Sequence, residues 1–471
     1  MRRGICLLFP WIAAGAAAAT DSAPPTWSHD IAPLVFRNCV ECHRPGQVAP
    51  FSLLNFETAA KRARDLTRAT KARYMPPWLP EGAAGTFLGE RRLTDGDIDL
   101  LARWAAAGAP AGELALAPEP PPAPVAEWQL GPPDLVVRMR QPFNIPPGPG
   151  DSYEVFPVAL SLADVPAGVL ARARIPDSDV LGVAAVEIRP GNLRSFHHCD
   201  IWVDLTGTAR RREAAEGGNG FLSFGTPGFP PAVWLGGRVP GMIPRFLPPG
   251  IAASVLPLNG DVVFQIHYRA TGKPETDQSE IGIHFMREPV KRVLDSLLLR
   301  SFSLDIPAGE PAFTVEDSLE VPADCVLMNL LPHMHLLGRE IHARIVNPDG
   351  SSRPLIDISR WDFKWQDRYA LREPFILPKG ARIFCRWVFD NSAGNRRNPF
   401  SPPRAVTFGP NATDEMCALD LAVIPVNLDD VPLFAAARDK KLREKVAELS
   451  PEQRARHNWN EAFEAVSPPG R

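Results

Sequence analysis

Proline occupies 52 of the 471 positions, about twice the ~5% usual in globular chains. It breaks helix interiors and cannot donate to the ladder of a central strand. So much of it excludes a mostly helical fold for the bulk of the chain and predicts many turns and short strands. Hydrophobic residues make up 45% and charged residues 22%, which excludes a wholly disordered chain. The 51 basic and 54 acidic side chains leave a net charge of −3. No basic field draws nucleic acid, and no acidic tail is present. At roughly 100–200 residues per domain, two to four domains are expected.

Residues 1–19 start with Arg2 and Arg3, continue through an apolar stretch over 5–14, and end in small residues near Ala19. This is the layout of a secretory signal peptide. An N-terminal anchor is the competing reading. The apolar part falls short of a span of about 20 residues and contains Pro10. Cys6 would leave with the peptide. The chain is therefore expected to be exported, to a periplasm or outside the cell, where disulfides persist. No later stretch reaches about 18 unbroken apolar residues, so no stable membrane insertion is expected.

Residues 26–110 are helical in pattern. Ile31, Leu34 and Val35 are helically spaced before Cys39, and a second helical stretch covers 58–70. A third starts near Thr94, where Thr94 or Asp95 can cap it, and stops at Gly108. Residues 111–134 form a Pro/Ala-rich, semi-rigid linker. Beyond Asp134 the texture changes. Short Val-, Ile- and Phe-rich runs at 134–139, 182–188, 261–268 and 280–285 are separated by Pro/Gly clusters such as 146–150 and 246–250. Such punctuation predicts β-sandwiches or barrels. The texture lasts to residue 426, too long for one simple sandwich, so two domains are expected, at 135–296 and 297–426. Residues 427–471 are charged and predict a helical tail. The expected fold class is multidomain and mainly β, with a small all-α domain ahead of two β-sandwich domains.

Cys39-Val40-Glu41-Cys42-His43 is C-x-x-C-H, the c-type haem attachment pattern. Two thiols one helical turn apart can bond the two vinyl groups of a haem, and the adjacent histidine supplies an axial nitrogen. A zinc half-site would want a second Cys or His pair nearby, and none lies between residues 44 and 130. Met75 is the only methionine of the domain and the candidate for the other axial position. His29 is the alternative ligand, and core packing is the structural alternative for Met75. Met/His ligation raises the reduction potential and suits electron transfer. The segment 27–110 resembles a small class I cytochrome c, which implies one covalent haem c on Cys39, Cys42, His43 and Met75.

Ten histidines are few for this length, and six fall in patterned places: His43, His197, His198, His267, His333 and His335. In the H-x-H of His333-Met334-His335, positions i and i+2 share one face of a strand, so both imidazoles can meet one metal. Adjacent His197 and His198 would alternate faces on a regular strand, so joint ligation requires a bulge or a strand end. Gln265 and His267 share one face of an apolar strand, where a hydrogen-bonded core histidine is the plain reading. Zinc accepts three histidines as copper does, so these patterns alone leave the metal open.

Gln265-Ile266-His267-Tyr268, His333-Met334-His335-Leu336-Leu337-Gly338-Arg339 and Asp414-Glu415-Met416-Cys417 resemble the copper type II, ascorbate-dependent monooxygenases. The resemblance covers roughly residues 135–426. It implies two jelly-roll-like sandwiches, one copper on each, facing across an open cleft. His197, His198 and His267 would hold the electron-transfer copper; His333, His335 and Met416 would hold the copper that meets O₂. The Met416 thioether favours Cu(I) and would separate copper from zinc, with core packing as the alternative for Met416. It also implies a disulfide between Cys385 and Cys417, with Cys199 and Cys325 unassigned. Where peptide-hydroxylating members carry an arginine before H-x-H and an Asn and a Tyr after Met-Cys, this chain has Leu331, Ala418 and Asp420. A C-terminal glycine peptide is thus not the expected substrate. Asp420 shares the face of Met416 and is a candidate contact for a cationic or hydroxylated substrate, against a solvated or cap-forming role. His284, His342 and His457 are assigned to structure.

The expected function is a copper-dependent monooxygenase that hydroxylates a C–H bond of a small molecule with O₂. It would use two copper ions, a covalent haem c as relay, and an external donor, either a redox protein or an ascorbate-like reductant. Two other classes stay open: a haem–copper electron-transfer or oxidase protein without hydroxylation, and a non-enzymatic redox-sensing scaffold.

Overall fold

The computed structural model describes residues 23–45, 49–122, 128–148, 151–223, 227–229, 231–239, 242, 244–409 and 411–456. The expected signal peptide, with Cys6, and His457 lie outside the described residues. No helix among the described residues is long and apolar enough to cross a membrane. The chain forms two compact units. One comprises the described chain up to Pro76 together with Arg91–Pro121; the other comprises Pro77–Glu90 and the described chain from Pro122 on.

The first unit is built from helices Ala32–Asn38, Phe56–Lys61, Ala63–Lys71 and Asp95–Ala106. Asn55 caps the second by accepting from the Thr58 N–H. Thr94 and Asp97 close a reciprocal capping box on the last, satisfying two of its orphan donors. Trp27, Ile31, Leu34, Leu53, Leu66, Leu101 and Trp104 are buried together as the core.

The second unit is mainly β. A four-stranded antiparallel sheet runs in the order Leu135–Arg138, Glu280–Phe285, Val180–Arg189, Ser254–Pro257. A five-stranded sheet runs Phe221–Leu222, Ser152–Ala159, Asp261–Tyr268, Phe196–Asp204, Val233–Arg238. Leu181, Val183, Ile281 and Ile283 from the first and Ile201, Val203, Phe264 and Ile266 from the second share one core. Every residue of the central Asp261–Tyr268 strand is buried. Its Val263 enters a separate small cluster with Val155, Ala209, Phe221 and Phe229 on the sheet's other face.

From Asp295 on, two further four-stranded sheets share a second core. One runs Asp295–Ser301, Cys417–Pro425, Cys325–Met334, Tyr369–Leu377; the other runs Phe313–Glu320, Arg382–Phe389, Gly338–Val346, Ser352–Ile358. Proline keeps to places where no donor is missed. Pro332 lies in a central strand, but pairing to the Tyr369–Leu377 strand ends at Leu330. The chain thus carries only one paired edge into His333.

Two segments differ from expectation. Pro77–Glu90, read as part of the first domain, belongs to the second unit. The Glu81 N–H donates to the Asp357 carbonyl, and Leu88 and Thr86 exchange backbone bonds with Ala370 and Arg372. Phe87 and Trp78 pack on Tyr369. Their aromatic surface finds a home there that a small helical unit cannot offer. The helical tail is no loose appendage either. Helix Val431–Ala447 buries Phe434 and Val446 in the second sandwich core. Arg438 and Lys441 pair with Asp295 and Asp317.

Candidate metal centres

Two adjacent strands of the five-stranded sheet bring the first three histidines together. His267 lies opposite His198, but the next pair is Tyr268 with Phe196, so His197 is an extra, bulged residue. A bulge re-aims a side chain that would otherwise face away, and this one puts both adjacent histidines on one side. The three Nδ1 atoms form a nearly equilateral triangle: 3.1 Å from His197 to His198, and 3.2 Å from each of these to His267. A near-tetrahedral ion bound at ~2.0 Å spaces its nitrogens by about 3.3 Å. The donor set therefore fits a metal without rearrangement, and it is the group of histidines, cysteines and acids that converges this way among the described residues.

Burial, then His267, pushes the His197 imidazole down to about 3, and burial holds His198 well below its usual range. Both rings are thus neutral and ligand-competent at pH 7. On the far side of His267, Nε2 meets Asp151 Oδ2 at 3.1 Å. The proton sits on Nε2, and the Nδ1 lone pair faces the triangle. Burial raises the Asp151 carboxyl, but the His267 bond and neighbouring cations outweigh it and hold it below the usual range. Tyr153, opposite His267 on its other flank, stacks on the imidazole at 4.2 Å and 12°. Gln265 is not bonded to His267: it accepts from Trp202 Nε1 and donates to the Ser223 carbonyl.

The H-x-H segment leaves the end of the Cys325–Met334 strand. That strand pairs His333 with Ala418 and Met334 with Cys417, where the pairing ends. Leu331 pairs with Asp420, so Leu331, His333, Ala418 and Asp420 share one face. His335 and Met416 lie just beyond the paired residues, and Met416 is half-buried and packs against the second sandwich core. The alternate residues Leu330 and Met334 point into the core. His333 Nδ1 bonds Gln366 Oε1, and His335 Nδ1 lies 3.2 Å from the Asp414 carbonyl. The bond to Gln366 leaves His333 Nε2 as its candidate donor atom, while His335 also bonds the Asn411 backbone. Burial pushes His333 down to about 4 and His335 well down. Glu415 is wholly buried and accepts from the backbone N–H groups of His335, Leu337 and Met416. One carboxylate thus cross-braces both ligand segments. Burial lifts it to about 8 against those three donors.

A loop of residues 359–368 runs between the two histidine groups. Phe363 stacks on His197 at 5.4 Å and 28° and meets His335 edge-on at 5.4 Å and 71°. Trp361 Nε1 donates to the His335 carbonyl at 3.2 Å, and Gln366 Nε2 donates to the Phe363 carbonyl at 3.1 Å. The cleft implied by the resemblance is therefore filled at this point by one aromatic ring. Asp420 is neither solvated nor a cap. It is half-buried in its strand, and burial lifts it to about 6 against the Arg368 and Arg300 guanidinium groups.

In the helical unit, Cys39, Cys42 and His43 sit on one helical turn, with the Cys42 and His43 N–H groups bonded to the Cys39 carbonyl. His43 Nδ1 lies 3.1 Å from the Phe51 carbonyl, which leaves Nε2 for a metal. Burial raises the Cys39 thiol to about 12 and raises Cys42 as well. That is the reverse of a thiol–disulfide catalyst, which needs a lowered thiol. Met75 belongs to this unit, next to the last residue of its first segment, and is half-buried. His29, the alternative ligand, is exposed and bonds Asp30.

The disulfide implied for Cys385 and Cys417 is not formed. Both are free, buried thiols, as are Cys199 and Cys325. Cys385 lies in one sheet of the second sandwich and Cys417 in the other, with both in the shared core. Burial, then Cys417, pushes Cys385 well up. Such thiols stay protonated and pack as small apolar groups. His284 is buried against Phe246, and His342 bonds Asp357 and Glu340.

Sequence reasoning missed Asp151, Tyr153, Phe363 and Gln366, and gave Glu415 no role beyond its place in the motif. No known protein family matches the chain, and no curated protein does. Among solved structures, infectious bursal disease virus Gx strain aligns at 11% identity over 64% of this chain and 74% of its own, with a TM-score of 0.19. The VP2 subviral particle of that virus aligns at 10% over 68% and 77%, with a TM-score of 0.18. The N-terminal tandem CBM22 domain of Xyn10C from Paenibacillus barcinonensis aligns at 9% over 57% and 82%, with a TM-score of 0.13. Overlaps this low carry no argument about fold or function.

Proposed function

We propose that this chain is an exported copper-dependent monooxygenase that hydroxylates a C–H bond of a small organic molecule with O₂. On this reading the sandwiches are the two jelly-roll-like copper domains of the type II monooxygenases. The helical unit is a class I c-type cytochrome carrying one haem c on Cys39, Cys42, His43 and Met75. The observation that carries the proposal is the triangle of three Nδ1 atoms in the same unit as an H-x-H segment whose strand pairs with the strand that begins directly after Met416. Copper in these sites supplies one-electron redox chemistry and O₂ activation.

The overall reaction consumes R–H, O₂, two electrons and two protons, and yields R–OH and water. The chain's own residues set the stage for it. Asp151 holds the proton of His267 on Nε2. Gln366 and the Asp414 carbonyl occupy the Nδ1 atoms of His333 and His335, which fixes the orientation of both rings. Glu415 holds the two ligand segments in register. Phe363 makes a ring contact with both His197 and His335. With Arg300 and Arg368 beside it, Asp420 is already charge-matched, which favours a neutral substrate over a cationic one.

Fusion to a haem domain supplies a built-in one-electron relay, fed by an external donor such as a redox protein or an ascorbate-like reductant. The test is stopped-flow oxidation of the reduced haem in the full chain. Reoxidation should require copper, O₂ and a hydroxylatable substrate together. Fast substrate-independent reoxidation, at an equal rate in His267→Ala, would refute the relay.

A further inference from the structure

We infer that Phe363 locks the two histidine centres into one close, fixed pair, so that they operate through a single ring and not across an open gap. The inference rests on the copper reading above and concerns what lies between the two sites. One ring touches an imidazole of each centre: it stacks on His197 and presents an edge contact to His335, both at 5.4 Å. The spacing matches ordinary aromatic pairs, whose centroids lie about 4.5–7 Å apart. A phenyl ring brings no donor or acceptor, so it does not compete with the metal ligands.

The ring is held from several sides. Gln366 Nε2 donates to the Phe363 carbonyl while its Oε1 bonds His333. One side chain therefore ties the loop to a ligand. Trp361, two residues earlier, is buried and donates to the His335 carbonyl, and its own N–H donates to the Arg339 carbonyl. Three side chains of one short loop thus act on ligand residues from both centres. Movement of His197 away from His335 would break at least one of the two ring contacts of Phe363.

The experiment is pulsed dipolar electron paramagnetic resonance on the full chain loaded with Cu(II), with copper counted first by elemental analysis. Wild type should bind two coppers and show a strong dipolar coupling between them with a narrow distance distribution. Phe363→Ala and the milder Phe363→Leu should keep both coppers while the distribution broadens and shifts to longer distance, more so in the alanine variant. Two bound coppers with no mutual coupling, or with a distribution unchanged in Phe363→Ala, would overturn the inference and leave the copper reading standing. Failure of wild type to bind a second copper would overturn both.

Discussion

Removing the Asp151 carboxylate leaves His267 Nε2 with nothing to donate to. The neutral imidazole is then free to carry its proton on Nδ1, the atom 3.2 Å from both His197 Nδ1 and His198 Nδ1. In that tautomer the metal loses one of three donors until the proton moves. Loss of such an orienting partner typically lowers metal affinity by about 10–100-fold, or roughly 1.4–2.7 kcal/mol. Asp151→Ala should show this drop for the three-histidine copper in a chelator competition at pH 7. The H-x-H copper should be unaffected, because its imidazoles are held by Gln366 and the Asp414 carbonyl. Asp151→Asn keeps an acceptor oxygen and should fall between wild type and alanine. An Asp151→Ala protein within about threefold of wild type would refute the tautomer argument, since that lies well below the range for orienting partners.

Three further outcomes follow from the same contacts. In the metal-free protein, His197 and His333 stay neutral down to about 3 and about 4, whereas the unfolded chain protonates them below about 6.5. At these two groups the unfolded state therefore binds more protons in that window, and they contribute a loss of stability as pH drops from 6.5 toward 4, opposite in sign to the raised carboxyls of Glu415 and Asp420. At pH 5 the histidine share is about 2 kcal/mol each, and a His197→Asn variant whose stability changes between pH 7 and pH 5 just as the wild type's does would contradict it. Glu415→Ala orphans three buried N–H groups at about 1–3 kcal/mol each, so urea unfolding should show a loss of at least about 3 kcal/mol. Phe434 is fully buried, so Phe434→Ala should cost about 3–5 kcal/mol. A thermal midpoint unchanged by that substitution would mean that helix Val431–Ala447 does not dock.

What could be read from the residues is what depends on local geometry. H-x-H predicts a shared face because strand side chains alternate, and His333 lies on the face of Leu331, Ala418 and Asp420. Adjacent His197 and His198 required a bulge, and the register shift beside Tyr268 is that bulge. Thr94 announced its helix because an N-cap acts within one turn. The supporting residues stayed hidden because their contacts join distant parts of the chain. Asp151 and His267 are 116 residues apart, and His333 and Gln366 are 33 apart. Nothing around Phe363 signals that both centres close on it, because that contact exists only once the two sandwiches are assembled. Pro77–Glu90 followed its neighbours into the first domain on paper, yet its aromatic residues pack on Tyr369. The Cys385–Cys417 pairing rested on resemblance alone, and the structure holds two protonated thiols there.

The central claim stands or falls on the metal and haem content of the protein after copper loading, measured beside Met416→Ala. The account predicts two coppers and one covalent haem per chain, with the variant losing up to one copper and keeping the copper of His197, His198 and His267. One haem and no bound copper would contradict it and leave an electron-transfer or scaffold protein in place of a monooxygenase.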